Sequence, residues 1–114
     1  MMKIDSYTFG KIVIDGKSYD SDVVLYKEIV YPNWWRMIGH LLQIGDIEKH
    51  LKKKPKKIII GTGFSQMMKI EPGVKDYLEK ADIETVIEST SSAWKSFNSL
   101  SNEEDVMAAF HLTC

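Results

Sequence analysis

The spacing of apolar positions changes character along this chain, and each change predicts a different kind of element. The first third reads as short β-strands: Ile4 to Phe9, Lys11 to Ile14 after a break at Gly10, then Lys17 to Tyr19. Asp15-Gly16 is a pair favoured in a two-residue hairpin turn, where both residues take positive φ. Asp22 to Tyr31, DVVLYKEIVY, supplies further β-rich sequence with Lys27-Glu28 as a second turn, and Pro32 ends it.

From Asn33 no period is clean. Asn33-Trp34-Trp35-Arg36 and Gly39-His40 read as an ordered loop. Ile44, Ile47 and Leu51 then recur at helical spacing, opposite Glu48, Lys49 and Lys52. This helix should begin near Gln43 or Gly45 and stop before Pro55, with His50 on its solvated flank.

The second half alternates strand and helix. In Lys57–Gly63, KIIIGTG, three consecutive isoleucines face both sides, as in a strand covered on both faces. Gly61-Thr62-Gly63 stops it abruptly. Pro72 suits the first turn of a helix with Val74, Tyr77, Leu78 and Ala81 as its stripe. Ile83 to Ile87 follows as a strand, and Thr90 is a credible N-cap for a helix carrying Ala93, Trp94, Phe97 and Leu100. Val106 to Leu112, VMAAFHL, is again apolar on both faces. Such a β-α-β-α-β run demands right-handed crossovers and a parallel core. The N-terminal hairpins must add antiparallel strands to it, or form a second sheet packed across it.

Composition narrows the function more than it names one. At 114 residues, with 44% hydrophobic and 27% charged residues, the chain reads as one domain, 1–114, of ordinary globular type. A net charge of −1 creates no field that would recruit nucleic acid or acidic lipid. The apolar runs are short of a membrane span, and Met1-Met2-Lys3 leads straight into strand pattern, so a cytoplasmic protein is the expectation. Cys114 is the only cysteine, which excludes an internal disulfide and a cysteine-rich zinc site.

Several residues carry candidate chemistry. Gly61-Thr62-Gly63 closes a covered strand, and ligands of open α/β sheets sit at such carboxyl ends. A true phosphate loop needs more glycine, a Lys-Ser/Thr pair and an immediate helix, whereas Met67-Met68-Lys69-Ile70 intervenes here. A tight turn at a strand end is the plainer reading of the glycines. His111 and Cys114 are three apart, on opposite faces if extended, and the sequence nominates no group to orient a base; a core strand with a frayed end is the plainer reading. His40, His50 and His111 lack zinc-ligand spacing, so neither metal nor cofactor is expected. Lys52-Lys53-Lys54-Pro55-Lys56-Lys57 is basic without interleaved aromatics; it complements a helix C-terminus and leaves room for weak contact with an acidic partner. Trp34 and Trp35 are adjacent, so one can fill the core while the other faces outward beside Arg36, the composition of an interface hot spot; packing of both rings in the core is the even alternative.

Taken together, Ser6-Tyr7-Thr8-Phe9-Gly10, Ile12 to Gly16, Asp22-Val23, Trp35-Arg36, Gly39-His40, Lys54-Pro55, Gly61-Thr62-Gly63, Thr90, Ala93, Phe97-Asn98, Leu100 and Ala108 to Cys114 resemble one family across the whole chain. It is the small domain of the adipogenesis-associated Mth-type protein and of mitochondrial complex I assembly factor three. Two departures are local: Ala81-Asp82 replaces a frequent glycine, and Gln43 replaces a small hydroxyl cap. The resemblance implies a three-layer β/β/α fold and no catalytic residues. It favours a non-catalytic interaction or assembly domain that meets a protein partner or a second copy through Trp34, Trp35 and Arg36. The alternative is a small-ligand binder or enzyme with a cleft at Gly61, Thr62 and Gly63, served by Arg36, His40 and Lys69.

Overall fold

A computed structural model describes residues 2–100 and 105–114; Met1, read above as part of the lead-in to the first strand, lies outside them. The described residues build three sheets. Strands β1 (Ile4–Thr8), β2 (Lys11–Ile14) and β3 (Lys17–Tyr19) form an antiparallel sheet in that order. Asp15 (φ 49°) and Gly16 (φ 79°) both take the positive φ that a tight hairpin turn requires. Lys27 (φ 47°) and Glu28 (φ 67°) do the same between β4 (Val23–Tyr26) and β5 (Ile29–Tyr31).

The β4–β5 hairpin joins the main sheet, whose order is β5-β4-β10-β7-β9. Its parallel members are β7 (Lys57–Gly61), β9 (Glu84–Glu88) and β10 (Val106–Phe110). The connections are α2 (Pro72–Lys80) from β7 to β9, and α3 (Thr90–Leu100) from β9 across to β10. Helix α1 (Ile44–Leu51) precedes β7. Its first turn is closed by Asp46, whose carboxylate accepts the Gln43 amide at 2.9 Å, so the weak capping residue is served by a side chain one turn on.

The isoleucine run is divided between two cores, which is why it shows no polar face. Ile58 and Ile60, with Val24 and Met107, pack on Ile47 and Leu51 of α1 and Val74 and Leu78 of α2. Ile59, with Leu25 and Phe110, packs on Ile12 and Ile14 of the small sheet and Ala93 and Phe97 of α3. The molecule is therefore the three-layer α/β arrangement, with α3 lying beside the small sheet. The Asn98 amide pairs with both main-chain groups of Ile4, at 2.9 and 2.7 Å, and joins α3 to β1 as a further strand would. Among the described residues no helix is long and apolar enough to cross a membrane.

Three local expectations need correction, and one element adds to them. A short parallel pair, β6 (Leu41–Leu42) with β8 (Lys69–Ile70), occupies sequence that predicted no element, because two-residue strands are too short to show a period. Thr90 is not the cap of α3: Ser89 precedes the helix and accepts the Ala93 amide through its carbonyl, while the Thr90 side chain points into the core. His50 is not solvated but buried, its ring 5.0 Å from that of Tyr31. The last residues do not fray, since Phe64 N donates to Thr113 O at 2.7 Å and Met67 N to Cys114 O at 2.8 Å. At Ala81-Asp82 the missing glycine is replaced by Asp82 itself, which takes φ 58°.

Candidate functional site

Strand register decides which side chains meet. Phe110 pairs with Gly61 on one side and with Val23 on the other, so β10 ends where β7 ends and β4 begins. Asp22, one residue before β4, thereby faces His111, one residue after β10. The loop after β5 returns to the same place because Trp34 N donates to Asp22 O at 2.9 Å. Arg36 then reaches over the pair.

Three atoms make a triangle. Arg36 Nη2 stands 2.8 Å from Asp22 Oδ2 and 2.9 Å from His111 Nδ1, and His111 Nδ1 is 2.8 Å from Asp22 Oδ2. Arg36 and His111 are buried. The second carboxylate oxygen of Asp22 accepts the Leu112 amide at 2.8 Å, and Arg36 Nε donates to Gly39 O at 3.0 Å. The guanidinium also lies 4.8 Å from the Trp34 ring, a cation–π contact inside the fold. Burial pushes the Asp22 carboxyl up, but the hydrogen bonds from His111 and Leu112 and the Arg36 charge outweigh it and hold the group below its ordinary range. Tyr7 reaches in from β1 and donates to Leu112 O at 2.7 Å. Burial first, and then the Asp22 charge, raise its phenol to about 12. Two buried atoms of the cluster, Arg36 Nη1 and His111 Nε2, have no partner among the described residues.

The expected site residues divide around this cluster. Arg36 belongs to it, and His40 packs its ring edge-on to His111 at 5.7 Å while remaining exposed. Lys69 does not: its main-chain amide donates to His40 O at 2.8 Å, but its side chain is exposed. Gly61, Thr62 and Gly63 are buried. A Cβ on Gly61 would lie 2.7 Å from Thr90 Oγ1 and 2.8 Å from Phe110 Cδ1. The close approach these glycines permit is made by the chain itself. Thr90 Oγ1 accepts Gly63 N at 2.9 Å and donates to His111 O at 2.7 Å, pinning the glycine turn to the residue that ends β10.

The two tryptophans part company. Trp34 is 8% exposed and donates from its indole to Asp46 O at 2.9 Å; Trp35 is 72% exposed. Both line a groove of about 890 Å³ between β5, the following loop and α1, together with Tyr31, Met37, Gln43 and His50. Cys114 is an exposed free thiol. Lys57 pairs with Glu84, and Lys53 lies over the Tyr31 ring at 3.9 Å, so part of the lysine cluster serves the fold. Among the described residues no group of three or more His, Cys, Asp or Glu is placed to hold a metal ion.

Sequence reasoning missed Asp22 and Tyr7, and it found no orienting partner for His111. The available signal was polarity out of place: Asp22 opens an apolar run, and His111 interrupts the covered strand VMAAFHL.

The fold is shared with solved structures. A conserved hypothetical protein, PH1505, from Pyrococcus horikoshii OT3 is 30% identical with a TM-score of 0.88, over 98% of this chain and 99% of that one. The structure titled MT938 is 24% identical with a TM-score of 0.82, over the whole of both chains. A Bordetella pertussis protein described as a Mth938-like domain is 17% identical with a TM-score of 0.62, over 96% of this chain and 85% of that one. Residues 4–111 match the family described as a protein of unknown function, DUF498/DUF598. With its Mth938-like fold and that match over nearly its whole length, the chain belongs to the DUF498/DUF598 family, the Mth-type small domains.

Proposed function

We propose that this chain is a non-catalytic interaction domain of the assembly-factor kind, which binds a protein partner through the loop carrying Trp35 and Met37. The observation that supports it is an alternation. Trp34 and Arg36 are tied inward by hydrogen bonds, while Trp35 and Met37 between and after them are each 72% exposed. Large apolar side chains on a pinned backbone lose little freedom on binding, and tryptophan is enriched among residues that dominate interface energy. The groove of about 890 Å³ beside them offers a recess for a partner side chain. Ile38, also exposed, extends the apolar strip.

The test uses the purified chain as bait, followed by reconstitution with the captured protein after its purification. Wild type should bind the purified partner with a measurable Kd. Trp35→Ala and Met37→Ala should each weaken binding by about tenfold or more while melting like wild type. Unchanged affinity in both variants would refute this contact face. A small-ligand or enzymatic role at Gly61–Gly63 has less support, because the space around both glycines is occupied by the chain's own atoms.

A further inference from the structure

Strand β9 is one outer edge of the main sheet; β5, which leads into the Trp35 loop, is the other. Glu84 N donates to Lys56 O at 3.0 Å, and Glu88 O accepts from Thr62 N at 2.9 Å, so both ends of β9 turn their main chain toward the β7 side. Main-chain groups alternate in direction along a strand, which turns those of Thr85 and Ile87 outward. Among the described residues no strand pairs with that edge. The two faces beside it differ. Thr85 and Ile87 look toward α2 and line a recess of about 530 Å³ with Lys75, Leu78, Glu79 and Ile83. Glu84, Val86 and Glu88 face α3: Val86 packs on the core that holds Ala93 and Phe97, and Glu88 accepts from the Ser96 hydroxyl at 2.6 Å. We propose that the β9 edge takes up an extended segment of a partner protein as a further strand, with apolar residues opposite Thr85 and Ile87 and basic residues opposite Glu84 and Glu88.

Main-chain bonds to an open edge are available to any peptide, so selectivity must come from the side chains on alternate positions. Leu78 and Ile83 are buried at the back of the recess, and Ile87 stands 41% exposed beside them. An apolar side chain laid there removes that surface from water. On the other face Lys57, which belongs to the neighbouring strand β7, meets Glu84 at 2.6 Å, yet the Glu84 side chain remains 67% exposed. A second cation therefore has room on the outer side of this carboxylate. Exposed ion pairs of this kind add little affinity but choose the partner.

The same acids decide against a second copy of this chain. Two β9 strands laid antiparallel over their whole length set Glu84 of each opposite Glu88 of the other, and like charges directly opposite are unfavourable. A strand with basic residues at those positions reverses the sign of both contacts. The order basic–apolar–any–apolar–basic reads the same in both directions, so it fits the edge parallel or antiparallel. The contact is independent of the Trp35 loop, which follows the opposite edge strand.

The whole chain should be titrated with blocked peptides whose core is Lys-Leu-Thr-Leu-Lys. One control, Leu-Lys-Thr-Lys-Leu, keeps the composition and exchanges the two faces; a second, Glu-Leu-Thr-Leu-Glu, reverses the charge. Expected is a saturable shift of the β9 amide NMR signals by the first peptide, with solvent exchange at Thr85 and Ile87 slowed at least about tenfold. Both controls should bind about tenfold more weakly or worse. Ile87→Pro removes an outward amide without touching the ladder to β7 and should abolish the binding. Should that variant not melt like wild type, Ile87→Lys, which sets a positive charge beside the recess at an exposed position, should bind about tenfold more weakly and decides instead. Unslowed exchange at both amides, or equal binding of the face-exchanged peptide, would overturn the proposal. So would self-association in sedimentation that Ile87→Lys abolishes, which would assign the edge to a second copy.

Discussion

Gly63 lies backbone to backbone with Cys114: a Cβ on the glycine would collide with the Cys114 carbonyl carbon and come within 2.9 Å of His111 Cδ2. Its φ of +108° is in addition a conformation that side-chain-bearing residues avoid. Gly63→Val should therefore destabilise by roughly 2–5 kcal/mol, combining backbone strain with overpacking against main chain that cannot swing away. Thermal melts would measure this, and a midpoint equal to wild type would show that the tail gives way freely.

Asp22 balances the buried Arg36 charge. Asp22→Asn keeps an acceptor for the Leu112 amide but strands the guanidinium, and about 3–5 kcal/mol should be lost at neutral pH, as when one partner of a buried pair is removed. The wild-type pH dependence has a definite sign. Because the folded carboxyl titrates below its ordinary value of 3.8, its contribution is complete above that value and is lost as pH falls through the folded pKa. Urea midpoints below pH 4 should drop in wild type and drop less in the variant.

His50 adds acid sensitivity of the same sign, in a higher window. Burial, and then Lys53 and Lys49, lower its pKa from 6.5 to about 4. The unfolded chain binds this proton first, so stability is unaffected above pH 6.5 and declines between 6.5 and 4. At about 1.4 kcal/mol per unit the loss approaches roughly 3 kcal/mol. His50→Phe, which preserves a ring against Tyr31, should flatten the stability profile over that window. An unchanged slope would mean that His50 charges without penalty.

Adjacent tryptophans should behave unlike one another. Trp34→Ala removes a buried ring, its hydrogen bond to Asp46 and the platform under Arg36, and should cost about 3–5 kcal/mol. Trp35→Ala should stay within about 0.5 kcal/mol of wild type, as for other exposed positions. Equal losses in the two melts would contradict this division into one buried and one exposed ring.

What the sequence by itself determined is whatever local chemistry enforces. Both hairpin turns, the covered Ile58-Ile59-Ile60 strand, the Pro72 helix start and the β-α-β-α-β order were legible, since backbone φ requirements and side-chain periodicity act within a few residues. Three readings failed, and one element went unread, for one shared reason. His50, Thr90, the tail after Phe110 and the unread β6–β8 pair are each decided by atoms far away in sequence: the ring of Tyr31, the amide of Gly63, the main chain of Phe64 and Met67, and a partner strand. The Asp22–Arg36–His111 cluster is the extreme case. His111 stands 89 positions from Asp22 and 75 from Arg36, and no periodicity links them. Only the register of β10 between β4 and β7 brings them to one end of the sheet, where burial removes the water that would otherwise separate a carboxylate, a guanidinium and an imidazole.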